Sequence, residues 1–278
     1  MAEPVAQVHH LDVVRDPVWD RLREDAEKMA VGEPVLASFV HATILGHERL
    51  EQALTYHLAH KLSSEDVGAL QVHQVFDEAF AAEPLLGEHV RRDLEAIFDR
   101  DPAVTTLVEP FLFFKGFHAL QSYRVMHWLW EQRRTALAFH FQSRVSQVFG
   151  LDVHPAARIG CGVMIDHGTG VVIGETAVVE DDVSLLHGVT LGGTGTQTGD
   201  RHPKVRRGVM IGANASILGN TEIGEYSRVG AGSVVLKPVP PRSTAVGVPA
   251  RIVGRAGCER PAMEMDQLID EGPYDYSI

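Results

Sequence analysis

Cysteine is scarce in this sequence of 278 residues, in which only Cys161 and Cys258 occur. Neither belongs to a CxxC pair, which excludes a disulfide framework and a zinc site built from thiolates, so we interpret both residues as structural or incidental. Long apolar runs are also missing, and no stretch approaches the ~20 apolar residues of a membrane span. The opening segment MAEPVAQVHHLDVVRD contains acids and fits no secretory signal. We therefore expect a cytoplasmic protein without a membrane partner.

Positive charge is outnumbered by negative charge. Lys and Arg together number 25 against 37 Asp and Glu, which gives a net charge of -12. Such a surplus repels polyanions and argues against broad binding to nucleic acid, although a small anionic ligand can still occupy a local basic patch. The chain has 45% hydrophobic and 22% charged residues. This composition predicts a real core and allows two modest domains.

The first half of the chain has a helical pattern. From residue 16 to residue 149 apolar side chains recur at intervals of three and four, as in Leu36, Phe39, Val40 and Ile44. Breaks are expected at four prolines: Pro34, Pro84, Pro102 and Pro110. These breaks divide the region into several helices of ordinary length.

The second half repeats every six residues. One position of each unit is always Ile, Leu or Val, and a small or β-branched residue usually stands two places before it. The aliphatic positions are Val153, Ile159, Ile165, Ile173, Val179, Leu185, Leu191, Val205, Ile211, Ile217, Ile223, Val229 and Val235. This repeat is typical of a parallel β-helix, in which each short strand is one side of a triangular coil. An ordinary β-sandwich would have to produce the same spacing by chance. We expect the helical half to cover one end of this prism and the segment from Pro238 to close the other.

The repeat is interrupted twice, each time by two residues more than the period requires. The first interruption contains DHGTG with His167, and the second contains GDRHPK with His202. We predict that both loops leave the wall of the prism and face each other across a groove. Histidine suits proton transfer because its ordinary pKa near 6.5 lets it accept a proton at neutral pH and return it later. The residues alone leave open which histidine is the base, and an isolated histidine is often a mere surface residue.

Several segments of the chain resemble the serine acetyltransferase branch of the hexapeptide-repeat acyltransferases. In the second half these are DVHPAARIG, IDHGTGVVIGETAVVEDDVSLLHGVTLGGTG, GDRHPKVRRGVMIGA, GAGSVVLKPVPP and GVPARIVG; in the first half they are LASFVHATILGHE, RDPAV and FLFFKGFHALQSYRVMHWLW. The resemblance implies an α+β fold: an all-α domain over residues 1–150, a left-handed parallel β-helix over 151–255 and a flexible C-terminal tail over 256–278. It also implies acetyl transfer from acetyl-CoA to L-serine, the first step of cysteine biosynthesis.

The resemblance further implies direct transfer in a ternary complex. It makes His167 the general base, with Asp152 orienting the ring and stabilising the imidazolium. The alternative interpretation, from its neighbours alone, is that Asp152 caps a turn before His154.

Substrate serine carries an ammonium and a carboxylate, so its pocket needs both signs of charge. The resemblance implies that Asp101 and Asp166 bind the ammonium and that Arg201 binds the carboxylate through two parallel hydrogen bonds. His202 then helps to bind the substrate or stabilises the oxyanion. Without the resemblance, Asp101 would be interpreted as a turn residue before a proline.

Acetyl-CoA is the expected co-substrate, and neither a permanently bound cofactor nor a metal is expected. The amides of its pantetheine arm can bond to backbone groups along the β-helix, where small residues allow close approach. Candidates for this backbone site are Gly193, Thr194, Ala213 and Ala231. Candidates for binding the phosphates are Lys237, Arg251 and Arg255, each of which is otherwise a solvated charge.

The resemblance also predicts partners. It implies a homotrimer with sites between neighbouring prisms, and two trimers joined by their helical halves. A terminal isoleucine, here Ile278, is the family's mark of a tail that enters the active site of O-acetylserine sulfhydrylase. L-cysteine is the expected feedback inhibitor, with the segment near Met263 and Met265 closing over the active site.

Three other functions are weighed against this one. A zinc carbonic anhydrase on a β-helix needs a closely spaced histidine pair and a third histidine, a spacing that His154, His167, His187 and His202 lack. Another acceptor, such as homoserine, a sugar or an antibiotic hydroxyl, would use the same scaffold. A non-catalytic scaffold would have no need of His167 and His202.

Overall fold

The computed structural model describes residues 15–196 and 198–268. Its first part is helical, as the apolar spacing predicts, and none of the described helices is long and apolar enough to cross a membrane. The helices are α1 (Pro17–Gly32), α2 (Ala37–Val40), α3 (Leu50–Leu62), α4 (Ala69–Ala82), α5 (Leu85–Arg100), α6 (Val108–Phe113), α7 (Lys115–Glu131) and α8 (Thr135–Phe149). A 3₁₀ turn (Pro34–Leu36) precedes α2, and a π-helical turn (His41–Leu45) follows it.

Three of the four prolines at which the sequence predicts a break lie at helix ends. Helix α1 ends before Pro34, Pro84 precedes the first residue of α5, and α5 ends before Pro102. The break predicted at Pro110 is wrong, because this residue lies inside α6. It occupies the first turn of that helix, where an amide hydrogen would have no partner within the helix anyway.

Short strands make up the second part of the chain. They are β1 (Asp152–Val153), β2 (Arg158–Ile159), β3 (Met164–Ile165), β4 (Val172–Ile173), β5 (Val178–Val179), β6 (Ser184–Leu185), β7 (Thr190–Gly192), β8 (Lys204–Val205), β9 (Met210–Ile211), β10 (Ser216–Leu218), β11 (Glu222–Ile223), β12 (Arg228–Val229), β13 (Val234–Val235), β14 (Ser243–Gly247) and β15 (Ala250–Arg255).

Up to β13 every third strand pairs in parallel, and β14 pairs in parallel with β12, so the strands form the three faces of a prism. Face A contains β1, β4, β7, β10 and β13; face B contains β2, β5, β8 and β11; face C contains β3, β6, β9, β12 and β14. Strand β15 returns antiparallel to β14 and ends the coil. The parallel β-helix predicted from the six-residue period is confirmed.

Aliphatic repeat positions fill the prism. Ile173 pairs with Leu191, which pairs with Ile217 on the next coil, and all three are at most 1% exposed. Each such side chain stabilises the fold by about 1.5–3 kcal/mol relative to exposure. Because a shift by one residue would turn every aliphatic side chain outward, the stack holds one register.

A buried ion pair joins the helical half to the prism. Asp93 of α5 and Arg124 of α7 are almost fully buried, and Arg124 Nη2 donates to Asp93 Oδ2 at 2.6 Å. The other carboxylate oxygen of Asp93 accepts from the amide of Val163, and Arg124 also donates to the carbonyl of Gly160. Neither charge is left unpaired away from water, which would be strongly unfavourable. These bonds therefore hold the helices on the first coil.

The first part of the predicted tail packs on face C. Residues 256–268 include a short helix, α9 (Pro261–Glu264), whose Ala262 carbonyl accepts from Ser184 Oγ at 2.8 Å. Arg228 donates to the carbonyl of Leu268 at 2.8 Å, and Arg100 Nε donates to Met263 Sδ at 3.2 Å. With α5 and this segment over it, face C has little free surface. Ile278 lies outside the described residues.

Candidate active site

The two interruptions of the repeat fall at different corners of the prism. Residues 166–171 turn from face C to face A, which we call the CA corner, and residues 193–203 turn from face A to face B, which we call the AB corner. His167 and His202 therefore lie at opposite edges of face A. The prediction that they face each other across a groove is wrong within one chain. Each coil has three corners, and each corner lies above the same corner of the coil before it. Loops that follow strands of different faces therefore lie at different corners.

The CA corner contains a cavity of about 820 Å³. Asp101, Lys115, Asp166, His167 and His187 line it. The His167 side chain is 71% exposed, and its Nε2 lies 3.7 Å from Asp166 Oδ2. The ring centres of His167 and His187 are 5.7 Å apart. The predicted base therefore stands in an accessible pocket beside a carboxylate.

Electrostatics favour a cationic ligand in this cavity. Burial raises the pKa of Asp166, the charge of His167 lowers it, and the neighbouring Asp101 carboxylate raises it again. An ammonium between the two carboxylates would neutralise the repulsion between them. Asp101 caps the end of α5 and also accepts from the amide of Ala103 at 2.9 Å. Asp101 therefore lies in a turn and also lines the cavity.

Asp152 is not brought to the His167 ring. It begins β1, and its Oδ1 accepts from Gln142 Nε2 at 2.7 Å. Among the described contacts, the carboxylate beside His167 is Asp166. The sequence pattern could not show this, because Gln142 belongs to α8 and meets Asp152 only where that helix packs on the first coil.

The AB corner holds the other predicted serine-binding residues. Arg201 Nη2 donates to Glu175 Oε2 at 2.6 Å, and this hydrogen bond is the main cause that lowers the pKa of Glu175. His202 is 7% exposed. Burial lowers the pKa of His202, and the charge of Arg201 adds to that effect. A neutral imidazole and a guanidinium thus stand side by side.

Comparison with known proteins bears on this geometry. Residues 18–122 match the family model of the serine acetyltransferase N-terminal domain, and residues 202–237 match that of the bacterial transferase hexapeptide. A serine acetyltransferase of Salmonella typhimurium is 56% identical over 250 residues, which cover 90% of this chain and 92% of the relative. The chain belongs to the serine acetyltransferase family.

Solved serine acetyltransferases have the same fold. One in complex with cysteine is 52% identical, with a TM-score of 0.89 over 91% of this chain and 98% of that chain. One from Brucella abortus, in complex with coenzyme A, is 52% identical, with a TM-score of 0.86 over 88% of this chain and 98% of that chain. The predicted fold class and the predicted acyltransferase class are confirmed.

The serine acetyltransferase fold distributes the predicted acetyl-CoA residues over several places. Ala213 and Ala231 lie on successive coils of the CA corner, above His167 and His187, where the amide of Gly232 donates to the Ala213 carbonyl. Gly193 and Thr194 lie at the AB corner instead. Lys237 follows β13, and Arg251 and Arg255 lie exposed on β15. One chain does not bring these seven residues together.

Sequence reasoning missed several polar residues of the two corners. His187 lines the CA cavity, and its Nδ1 is buried without a hydrogen-bond partner in the described chain. Lys115 donates to Thr169 in the same cavity. Glu175 and Thr176 contact Arg201 and His202. The sequence did contain a signal for Glu175 and Thr176, since both follow a strand one coil before the second interruption. Among the described residues, no group of three or more His, Cys, Asp or Glu side chains could hold a metal ion.

Proposed function

We propose that the chain transfers the acetyl group of acetyl-CoA to the hydroxyl of L-serine, giving O-acetyl-L-serine and CoA, in a site built from two copies. The observation that carries this proposal is the placement of two complementary sets of side chains at opposite edges of face A. Carboxylates and His167 stand at one edge, and Arg201 and His202 stand at the other. Serine needs both sets, because its ammonium requires carboxylates and its carboxylate requires a guanidinium. Neighbouring prisms that meet at face A would join the two edges.

The surface of face A supports this assembly. Beyond β1, whose outward residue is the charged Asp152, its outward side chains are small or apolar: Val172, Thr190, Ser216 and Val234, with Leu236 just after β13. Val172 is 38% exposed and Leu236 is 51% exposed. Face B instead carries ion pairs such as Arg206 with Glu180 at 2.8 Å, and face C is covered by the chain itself. We propose, as the resemblance implies, a closed ring of three prisms about face A as the catalytic unit, with two trimers joined through their helical halves.

His167 is the group proposed to move the proton. It accepts the hydroxyl proton as the serine oxygen attacks the thioester carbonyl, and the imidazolium returns this proton to the departing CoA sulfur. The Asp166 carboxylate, 3.7 Å from Nε2, would attract the imidazolium that forms during transfer. Asp152 bonds to Gln142 and would have to contact the His167 ring to take part, so its orienting role stays a prediction.

Two ligands of the relatives support the proposed substrate and inhibitor. The coenzyme A and cysteine complexes of the similar enzymes support acetyl-CoA as co-substrate and cysteine as inhibitor here. Cysteine carries the ammonium and carboxylate of serine with a thiol in place of the hydroxyl, so the same charged groups would hold it. The backbone at Ala213 and Ala231 continues from the His167 cavity along the corner and suits the pantetheine arm.

An acceptor comparison tests the proposed reaction. With acetyl-CoA present, purified protein should release CoA at least about 100-fold faster with L-serine than with a sugar hydroxyl, because only an amino acid engages both charged edges. Homoserine, with one more methylene, is the closer competitor. The measurement is thiol release under steady-state conditions. Equal rates with all acceptors, or no release with serine, would refute the proposal.

Asp166→Asn should raise the serine KM by about 10- to 100-fold, because a charge-assisted bond to the ammonium is lost. Since burial raises the pKa of Asp166, the ionised carboxylate is unfavourable in the unliganded fold. The substitution should therefore not lower the midpoint of thermal unfolding at pH 7. The serine KM of the wild type should rise as the pH falls through this raised pKa, and the variant should lack that rise. An unchanged KM would remove Asp166 from the serine site.

A partner follows from the resemblance alone. We propose that the tail ending at Ile278 binds O-acetylserine sulfhydrylase, with the terminal carboxylate held by backbone amides and the side chain in an apolar pocket. Binding of a peptide of the last residues to that enzyme, with and without Ile278, measures this contact.

A further inference from the structure

Thr176 ties the second interruption to the coil beneath it. Its Oγ1 accepts hydrogen bonds from the backbone amides of Arg201, at 3.0 Å, and of His202, at 3.1 Å. Its own backbone amide donates to His202 Nδ1 at 3.2 Å, and its hydroxyl lies 2.9 Å from the same nitrogen. Thr176 therefore contacts both the main chain of the AB corner and the imidazole of His202.

These contacts decide which nitrogen of His202 carries the proton. A backbone N–H only donates, so Nδ1 must be an acceptor without a proton. The Thr176 hydroxyl, whose oxygen accepts two amides, has its own hydrogen to donate to Nδ1 as well. Because burial and the charge of Arg201 lower the pKa of His202, the ring is neutral near pH 7. Its single ring proton then sits on Nε2.

The Nε2 side of the ring lies between two glycines. A Cβ at Gly174 would come within 2.1 Å of Nε2, and one at Gly193 within 3.5 Å. The absence of side chains at both positions leaves room for the ring to reach this edge of face A. Within the described chain no hydrogen bond uses Nε2. An N–H donor is therefore presented at the edge with its bonding capacity unused.

We propose that Thr176 is a positioning residue that fixes His202 as an Nε2–H donor toward the substrate and holds the main chain that carries Arg201. The inference rests on the proposed acetyl transfer to serine. Thr176 itself contacts no reacting atom and acts through its neighbours. A hydroxyl is required here because only it can accept two amides and donate to Nδ1.

Thr176→Val keeps the shape of the side chain and removes the hydroxyl. We expect kcat/KM for serine to fall by about 30-fold and the acetyl-CoA KM to stay within about twofold, because loosened donors affect the serine end of the site. Thr176→Ser should return kcat/KM to within about threefold of the wild type. The matched control is Thr221→Val, since Thr221 is another threonine of the AB corner, buried, whose hydroxyl donates to the Leu218 carbonyl and contacts neither Arg201 nor His202 in the described hydrogen bonds. It should leave both constants unchanged.

Substitution of His202 tests the proton assignment separately. The amide nitrogen of glutamine occupies the place of Nε2–H and that of asparagine the place of Nδ1, so His202→Gln should retain at least about tenfold more activity than His202→Asn. In a double-mutant cycle, Thr176→Val and His202→Asn should be strongly non-additive. If Thr176→Val does not fold, the glutamine and asparagine variants still test the Nε2–H assignment on which the role of Thr176 rests.

The outcomes separate this inference from the proposed function. Wild-type protein that does not acetylate serine would overturn the proposed function, whatever the variants do. An active wild type with equal constants for Thr176→Val, Thr176→Ser and the wild type would overturn only the role of Thr176. Equal losses for the glutamine and asparagine variants would overturn the assignment of the proton to Nε2.

Discussion

Replacing His167 with alanine should lower kcat by about two to four orders of magnitude, the usual contribution of a general base. Among the described histidines, His202 lies at the other edge of face A and His187 has its Nδ1 buried, so we expect neither to replace His167. Steady-state rates at saturating serine and acetyl-CoA measure the loss. The acetyl-CoA KM should change little, since the ring is assigned to the serine hydroxyl.

The backbone at His167 needs a matched control. Its φ is 56°, a left-handed conformation in which asparagine is better tolerated than alanine. His167→Asn removes the base with less strain and should lose as much activity. Arg242→Ala, at φ 57° and at the far end of the prism, should leave kcat unchanged. A folded His167→Asn enzyme with near-normal kcat would take the base role away from His167.

Mixing two inactive variants should restore activity. If each site takes His167 from one copy and Arg201 from the next, a His167→Ala chain and an Arg201→Ala chain form a complete site wherever the intact edges meet. Random equal mixing in a closed ring makes about a quarter of the sites complete. Co-expressed or jointly refolded variants should therefore recover about 25% of wild-type turnover.

Separately purified variants mixed without subunit exchange are the control, and they should stay inactive. A mixture of His167→Ala with His167→Asn should recover nothing, because every site then lacks the base. If the mixture of His167→Ala with Arg201→Ala stays inactive although subunit exchange has been demonstrated, both edges of a site belong to one copy. The shared-site proposal then fails. Recovery well above about a quarter of wild-type turnover would also contradict sites assembled at random from two copies.

The helical half shows which structural features a local sequence pattern can predict. Spacing of three and four predicted a helical half, and three of its four predicted breaks are correct, because backbone restrictions act within a few residues. The failure at Pro110 has the same origin, since a proline is compatible with the first turn of a helix as well as with a break. The ion pair of Asp93 with Arg124 had no local signal, because its partners lie on separate helices.

The sequence by itself determined the prism, its inward side chains and the family. A six-residue period is a local property, and burial of one aliphatic residue per strand follows from it directly. It also located the two histidine loops, because an insertion breaks the period visibly. Only the tertiary structure decided that these loops lie at opposite edges of face A, that Asp166 rather than Asp152 stands beside His167, and that Thr176 holds the His202 ring. These contacts depend on how the corners of successive coils stack, and on how α8 packs against the first coil. No spacing along the chain encodes such contacts, because they join residues that are neighbours only after the coils have stacked.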